Sequence, residues 1–134
     1  MKTKTPEKGL EYYMGKLQPE YESAGQEKIA QMLDEYHIPF FYKDPLLVWE
    51  DGQRKIRRPD FILPTYNNTV IEYTPALDET AKQDSSIYRK NNLTALFLKD
   101  SDLTGPNWNQ KLYDKLEEIY HHPQTFSTGS YQLS

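Results

Sequence analysis

The chain has 134 residues, 16 Lys and Arg against 20 Asp and Glu, 37% hydrophobic residues and no cysteine; this is room for one domain, without disulfides, thiolate zinc sites or cysteine nucleophiles. No run approaches the ~18 apolar residues of a membrane span, and the charged start MKTKTPEKG lacks the apolar stretch of a secretory signal, so a cytoplasmic protein with no membrane partner is the expectation. The net charge of −4 argues against wrapping of nucleic acid over the whole surface, but metal-holding carboxylates beside a local basic patch would give the same sum.

Residues 1–20 are polar and read as an extended arm, with room for a short helix over Leu10–Leu17. A helix is predicted over Ser23–Tyr36, with Ser23 as N-cap and Gln26 three residues on, as in a capping box. Gln26, Ile29, Ala30, Leu33 and His37 fall on one face at 3.6-residue spacing, and Pro39 stops the helix. Phe40–Trp49 reads as a strand that Pro45 weakens, Asp51-Gly52 as a hairpin turn, and Lys55–Leu63 as the return strand. Thr69–Tyr73 is a third strand. A helix over Asp78–Lys90, acidic at its start and basic at its end, leads to the apolar strand Leu93–Leu98. Trp108–Tyr120 carries the helical stripe Trp108, Leu112, Leu116 and Ile119. The Ser/Thr/Gly-rich residues 123–134 read as a flexible tail. The order α-β-β-β-α-β-α predicts an α/β domain over residues 21–122, with a mixed four-stranded sheet flanked by helices and a further C-terminal helix.

Two acids stand out. Asp60 in RRPDFIL and Glu72 in TVIEYTP each lie among apolar residues in a predicted strand. Alternation puts Arg58, Asp60 and Ile62 on one face of their strand, and Val70 and Glu72 on one face of the next. The turn over Pro64–Asn68 can bring the two carboxylates side by side. Such a pair repels and is costly to bury, and a divalent cation removes the conflict. The bland alternative is a pair of solvated edge carboxylates partnered by Arg57 or Arg58.

The run Arg58-Pro59-Asp60-Phe61, followed at the end of the next strand by Glu72-Tyr73, resembles the PD-(D/E)XK nuclease pattern, in the branch written RPDF…(V/I)EY. SAGQEKIAQML upstream and IYRKNNL downstream are also similar to that branch, so the resemblance spans about Ser23–Leu103. It implies a restriction-endonuclease-like αβββαβ core and Mg²⁺- or Mn²⁺-dependent hydrolysis of DNA phosphodiester bonds. On this resemblance Asp60 and Glu72 hold the metal and the strand carbonyl of Tyr73 completes the shell. The pattern's lysine, two residues after the Glu, is Thr74 here, and Pro75 follows it; the first-helix Glu is replaced by Gln26. Gln26 would orient a metal-bound water through a hydrogen bond, without charge. Either a lysine from the next helix replaces the missing cation, Lys82 before Lys90, or the domain binds nucleic acid or a protein partner without cutting.

Gln53–Arg58 is the densest basic segment and leads directly into Pro59-Asp60. Arg54, Lys55, Arg57 and Arg58 are the expected phosphate contacts; the alternative is a solvated turn with Glu50 and Asp51 as local partners. Tyr73 is expected to pack beneath the helices and Tyr88 to anchor the second helix; Tyr12, Tyr13 and Tyr21 of the arm could stack on bases or make a dimer contact, with packing the favoured reading. His121 and His122 are adjacent on a helix and diverge by about 100°, so they do not share one ion. A homodimer would supply the two sites that cutting both strands of a duplex requires.

Overall fold

The computed structural model describes residues 20–75, 79–121 and 130–131. Helix α1 (Ala24–Glu35) starts at Ser23, whose extended backbone lets Oγ accept the Gln26 N–H at 3.1 Å. Its end explains the one misplaced member of the predicted stripe. His37 takes a left-handed φ of 58° and donates its N–H to Asp34, while Ile38 donates to Leu33, closing a Schellman cap. The chain has left the helix by then, so His37 is exposed and Ile38 is buried in its place.

The next elements are β1 (Phe41–Tyr42), β2 (Leu46–Glu50), β3 (Gln53–Arg57) and β4 (Phe61–Leu63). Asp51 and Gly52 both have positive φ, as a tight hairpin turn of the predicted kind needs. The two long strands expected here are each interrupted: Lys43–Pro45 breaks one and Arg58–Asp60 the other. Pro45 and Pro59 lack the N–H a ladder requires, and Lys43 sits at φ 59°. The halves therefore join different sheets. β2 and β3 form a two-stranded sheet, while β1 and β4 join the main one. The register nevertheless carries straight through the gap: Leu46 faces Arg57 on one side of it and Tyr42 faces Phe61 on the other.

The main sheet has the order β1-β4-β5-β6-β7, with β5 at Thr69–Tyr73, β6 at Ala95–Leu98 and β7 at Ser130–Tyr131. β1, β4 and β5 pair antiparallel; β5, β6 and β7 pair parallel. The mixed sheet expected from sequence is present, with five strands rather than four and without the hairpin tip. β7 lies within the stretch read as a flexible tail: Ser130 and Tyr131 pair with Ala95 and Leu96. The arm residues 1–19, with Tyr12 and Tyr13, lie outside the described residues.

Between β5 and β6 the chain crosses over through α2 (Glu79–Lys90), and α3 (Trp108–His121) follows β6. The sheet is apolar on both faces. Phe61, Leu63, Ile71, Leu96 and Leu98 pack against Ile29 and Leu33 of α1 and Leu112 and Leu116 of α3. Ile62, Val70, Ala95 and Phe97 pack against Ala81 and Tyr88 of α2. All four residues of β6 are buried, as its apolar run predicts. Tyr21 packs on Tyr42 and Phe61. No helix among the described residues is long and apolar enough to cross a membrane.

Candidate active site

The site forms where the long hairpin opens. Phe61 pairs with Ile71, so the next step along the β4–β5 register sets Asp60 opposite Glu72. The β1–β4 register, carried one step the other way, sets Lys43 opposite Asp60. Three charged residues thus stand in a row across adjoining segments: Lys43, Asp60, Glu72. The main chain holds them there, since Lys43 N–H donates to the Asp60 carbonyl at 3.0 Å. Arg58 Nη1 donates to the Lys43 carbonyl at 3.2 Å.

Asp60 is 5% exposed, and its carboxylate is bonded from both sides. Lys43 Nζ lies 3.0 Å from Oδ1, and Tyr73 N–H donates to Oδ2 at 2.8 Å. Glu72 accepts the Asp60 N–H on Oε1 at 2.9 Å and the Tyr88 hydroxyl on Oε2 at 2.6 Å. Burial pushes the Glu72 carboxyl up to about 7; the Tyr88 hydroxyl and the Asp60 N–H oppose this, and the charges of Asp60 and Asp84 add to it. Burial works against the charge of Lys43, but Asp60 and Glu22 outweigh it and hold the ammonium above its ordinary range. Tyr88 is raised by burial and by Glu72, so its hydroxyl stays a donor.

Beside the pair lies a polar cleft of about 470 Å³, between the β2–β3 hairpin and α2. Lys43, Lys55, Arg57 and Arg58 line it together with Glu50, Glu72, Asp84 and Tyr88. Arg57 braces the two walls, with Nη1 2.8 Å from Asp84 and Nε 3.5 Å from Glu50. It is thereby tied to protein carboxylates rather than free for phosphate, and Glu50 is the local partner weighed in the sequence. Lys55 and Arg58 are exposed. Arg54 lies over the Trp49 ring, 5.4 Å from its centre.

The other sequence candidates sit apart from the pair. Gln26 is buried, and its Oε1 accepts the Glu22 N–H at 2.9 Å and the Tyr42 hydroxyl at 2.7 Å. The capping box is thus half made, since Ser23 caps Gln26 but the Gln26 side chain bonds elsewhere. It reaches the site through Tyr42, the neighbour of Lys43, and through Glu22, whose Oε1 lies 3.2 Å from the Lys43 ammonium. Lys82 is exposed on α2, one residue beyond the Ala81, Asp84 and Tyr88 face that meets the site, and none of the described bonds joins it to Asp60 or Glu72. Lys90 is exposed at the far end of that helix. Tyr73 touches the pair through its N–H, while its ring packs over Gly25 and its hydroxyl donates to Asp100. Lys43 and the Tyr88 hydroxyl are the members that the motif search missed.

Among the described residues no three His, Cys, Asp or Glu side chains converge as a metal-ligand group. Asp60 and Glu72 nevertheless suit a hard divalent cation. They are paired carboxylates, Glu72 pushed towards neutrality by burial and lining the polar cleft with Asp60 beside it, and Mg²⁺ uses one or two carboxylates and keeps waters for the rest. Comparison with known protein families, curated proteins and solved structures yields no match.

Proposed function

We propose that this chain is a divalent-metal-dependent nuclease that hydrolyses DNA phosphodiester bonds, in the manner of the PD-(D/E)XK enzymes its RPDF and IEY segments resemble. One observation carries the reading: Asp60 and Glu72 face each other across adjoining segments, largely out of water, with the Lys43 ammonium on Asp60. A bound Mg²⁺ would supply Lewis-acid stabilisation of charge on the phosphoryl oxygens. Asp60 and Glu72 would hold it, Tyr73 N–H and Tyr88 OH fixing their orientation, with the Tyr73 carbonyl as a further oxygen ligand.

Lys43 takes the part of the missing motif lysine. Its ammonium comes from the strand across from Asp60 rather than from Thr74 or Lys82. There it can orient the attacking water and offset charge building on the phosphate. Lys55 and Arg58, exposed on the cleft wall, would hold the backbone phosphates. One copy carries one such site, so cutting a duplex on both strands would take two.

The test is strand cleavage of plasmid and of labelled single-stranded and duplex oligonucleotides, with Mg²⁺ or Mn²⁺. Nicking by the wild type that Asp60→Asn abolishes supports the reading. Equal inertness of the two proteins on every substrate overturns it. A second reading, a nucleic-acid-binding module that does not cut, is favoured by the partners already present on every carboxylate oxygen of the pair. Metal-independent DNA binding without cleavage is the outcome it requires.

A further inference from the structure

The β2–β3 hairpin buries one side and leaves the other bare. Val48 is 1% exposed and Leu46 packs on the α2 side of the core, but Leu47, Trp49 and Ile56 are 55%, 57% and 64% exposed. Leu47 faces Ile56 and Trp49 faces Arg54 across the strands, so all four share the outward face. The platform is anchored from behind. Asn91, at the end of α2, accepts the Trp49 N–H on Oδ1 at 2.8 Å and donates Nδ2 to the Trp49 carbonyl at 3.0 Å. Trp49 thus presents a ring more than half exposed, with the Arg54 guanidinium over it 5.4 Å from its centre, on a backbone fixed from two sides.

We propose that this face is a stacking platform for unpaired bases. Trp49 takes the base, Leu47 and Ile56 extend the apolar surface, Arg54 on the same face holds a flanking phosphate, and Lys55, on the other face of the hairpin beside the cleft, holds the next. Two observations favour nucleic acid over a protein partner. The hairpin and its exit carry Arg54, Lys55 and Arg58 against Asp51, with Arg57 already paired to Asp84 and Glu50, in a chain whose net charge is −4. The cations are therefore gathered on this element, as a polyanion requires. The same hairpin also forms one wall of the cleft holding Glu72, with Lys55 and Ile56 lining it, so the platform, which includes Ile56, borders that cleft. The inference rests on the nuclease reading for the class of ligand, and adds that the substrate has unpaired bases beside the cut.

The experiment is binding of fluorescein-labelled oligothymidylate, and of the same strand in a blunt duplex, by the full chain in EDTA. Wild type should bind the single strand more tightly. Trp49→Ala should weaken it by about tenfold or more, and Trp49→Phe should restore most of the loss. Lys55→Ala should instead flatten the salt dependence, by a slope of about 0.7. The side chain of Trp49 is exposed, and a thermal melt of each variant checks that the fold persists. Trp49→Ala binding as tightly as wild type overturns the proposal. So does a wild-type dimer that Trp49→Ala dissociates, with no oligothymidylate bound by either. Because EDTA removes cleavage from the measurement, the two readings fail separately. Trp49-dependent binding without metal-dependent nicking would leave the platform and end the nuclease reading; nicking with unaltered Trp49→Ala binding would do the reverse.

Discussion

Lys43→Met is the sharpest probe of the row Lys43–Asp60–Glu72, because methionine keeps most of the apolar stem, one atom shorter, and removes the ammonium with its charge and donors. It also keeps the left-handed backbone strain at φ 59°, which a glycine would relieve. At 3.0 Å and an effective dielectric constant of about 20, the Coulomb attraction to Asp60 is roughly 5 kcal/mol before desolvation. The lysine side chain is 33% exposed and the aspartate side chain 7%, so the pair stands between a surface bridge, worth under ~1 kcal/mol, and a buried one, whose rupture costs ~3–5. We expect a loss of about 2 kcal/mol in urea unfolding in EDTA, or a fall in Tm of roughly 8 °C.

Mg²⁺ should then stabilise Lys43→Met more than wild type, since ion and ammonium claim the same Asp60 oxygen. Strand cleavage should fall in the variant even as Mg²⁺ binds more tightly, a split that general unfolding would not produce. A double-mutant cycle with Asp60→Asn isolates the pair. Coupling below ~0.5 kcal/mol, or a variant as stable as wild type in EDTA, would refute the reasoning.

The raised Glu72 carboxyl sets a pH dependence in the metal-free protein. Its folded value, about 7, lies above the unfolded one, so the folded state holds the proton more tightly and stability is greatest below the unfolded value. The stability of wild type relative to Glu72→Gln should therefore fall as pH rises from about 4.5 to about 7, by at most ~3 kcal/mol, and then level off; a difference that does not change with pH in chelator-treated samples would contradict this. Gly25→Ala, which would favour an ordinary helix by ~1 kcal/mol, should instead destabilise by about 1–3, because the new methyl would enter the Tyr73 ring; chemical denaturation decides the sign. Asn91→Ala should cost about 1–2 kcal/mol and speed hydrogen exchange of the Trp49 amide, which loses its acceptor; an unchanged exchange rate by NMR would show that the hairpin does not depend on that clamp.

The parts that sequence made legible are those where one local signal suffices. β5, β6 and the helices follow from periodicity and capping residues, and Asp51-Gly52 from turn chemistry. The Asp60–Glu72 pairing was legible because each acid lies two residues from an apolar residue on the same face, Ile62 and Val70, and those two pair across the strands. What escaped were features set by distant packing. β7 is a two-residue strand whose sequence, Ser130-Tyr131, carries no β pattern and which forms because β6 offers an edge. The split of the hairpin into two sheets depends on two prolines acting together, each of which alone marks only a local weakness. Gln26 carried a helix-face signal that correctly made it buried, but its side chain was claimed by Tyr42 and Glu22, and periodicity does not name hydrogen-bond partners.

Lys43 differs from these, because its place follows from a register that the sequence contains. The two-residue turn at Asp51-Gly52 pairs Glu50 with Gln53, and stepping back from that pair reaches Lys43 opposite Asp60. A search for the missing lysine along the chain from Glu72 looks only at Thr74 and the helix beyond it. A search across the sheet from Asp60 finds an ammonium at once. The distinction is physical: a cation that balances a buried carboxylate must be near it in space, and in a hairpin the nearest residue is the one facing it, seventeen positions away in sequence. Facing residues of an antiparallel ladder point to one face, so the register alone puts the Lys43 ammonium and the Asp60 carboxylate together beside Glu72, next to the polar cleft.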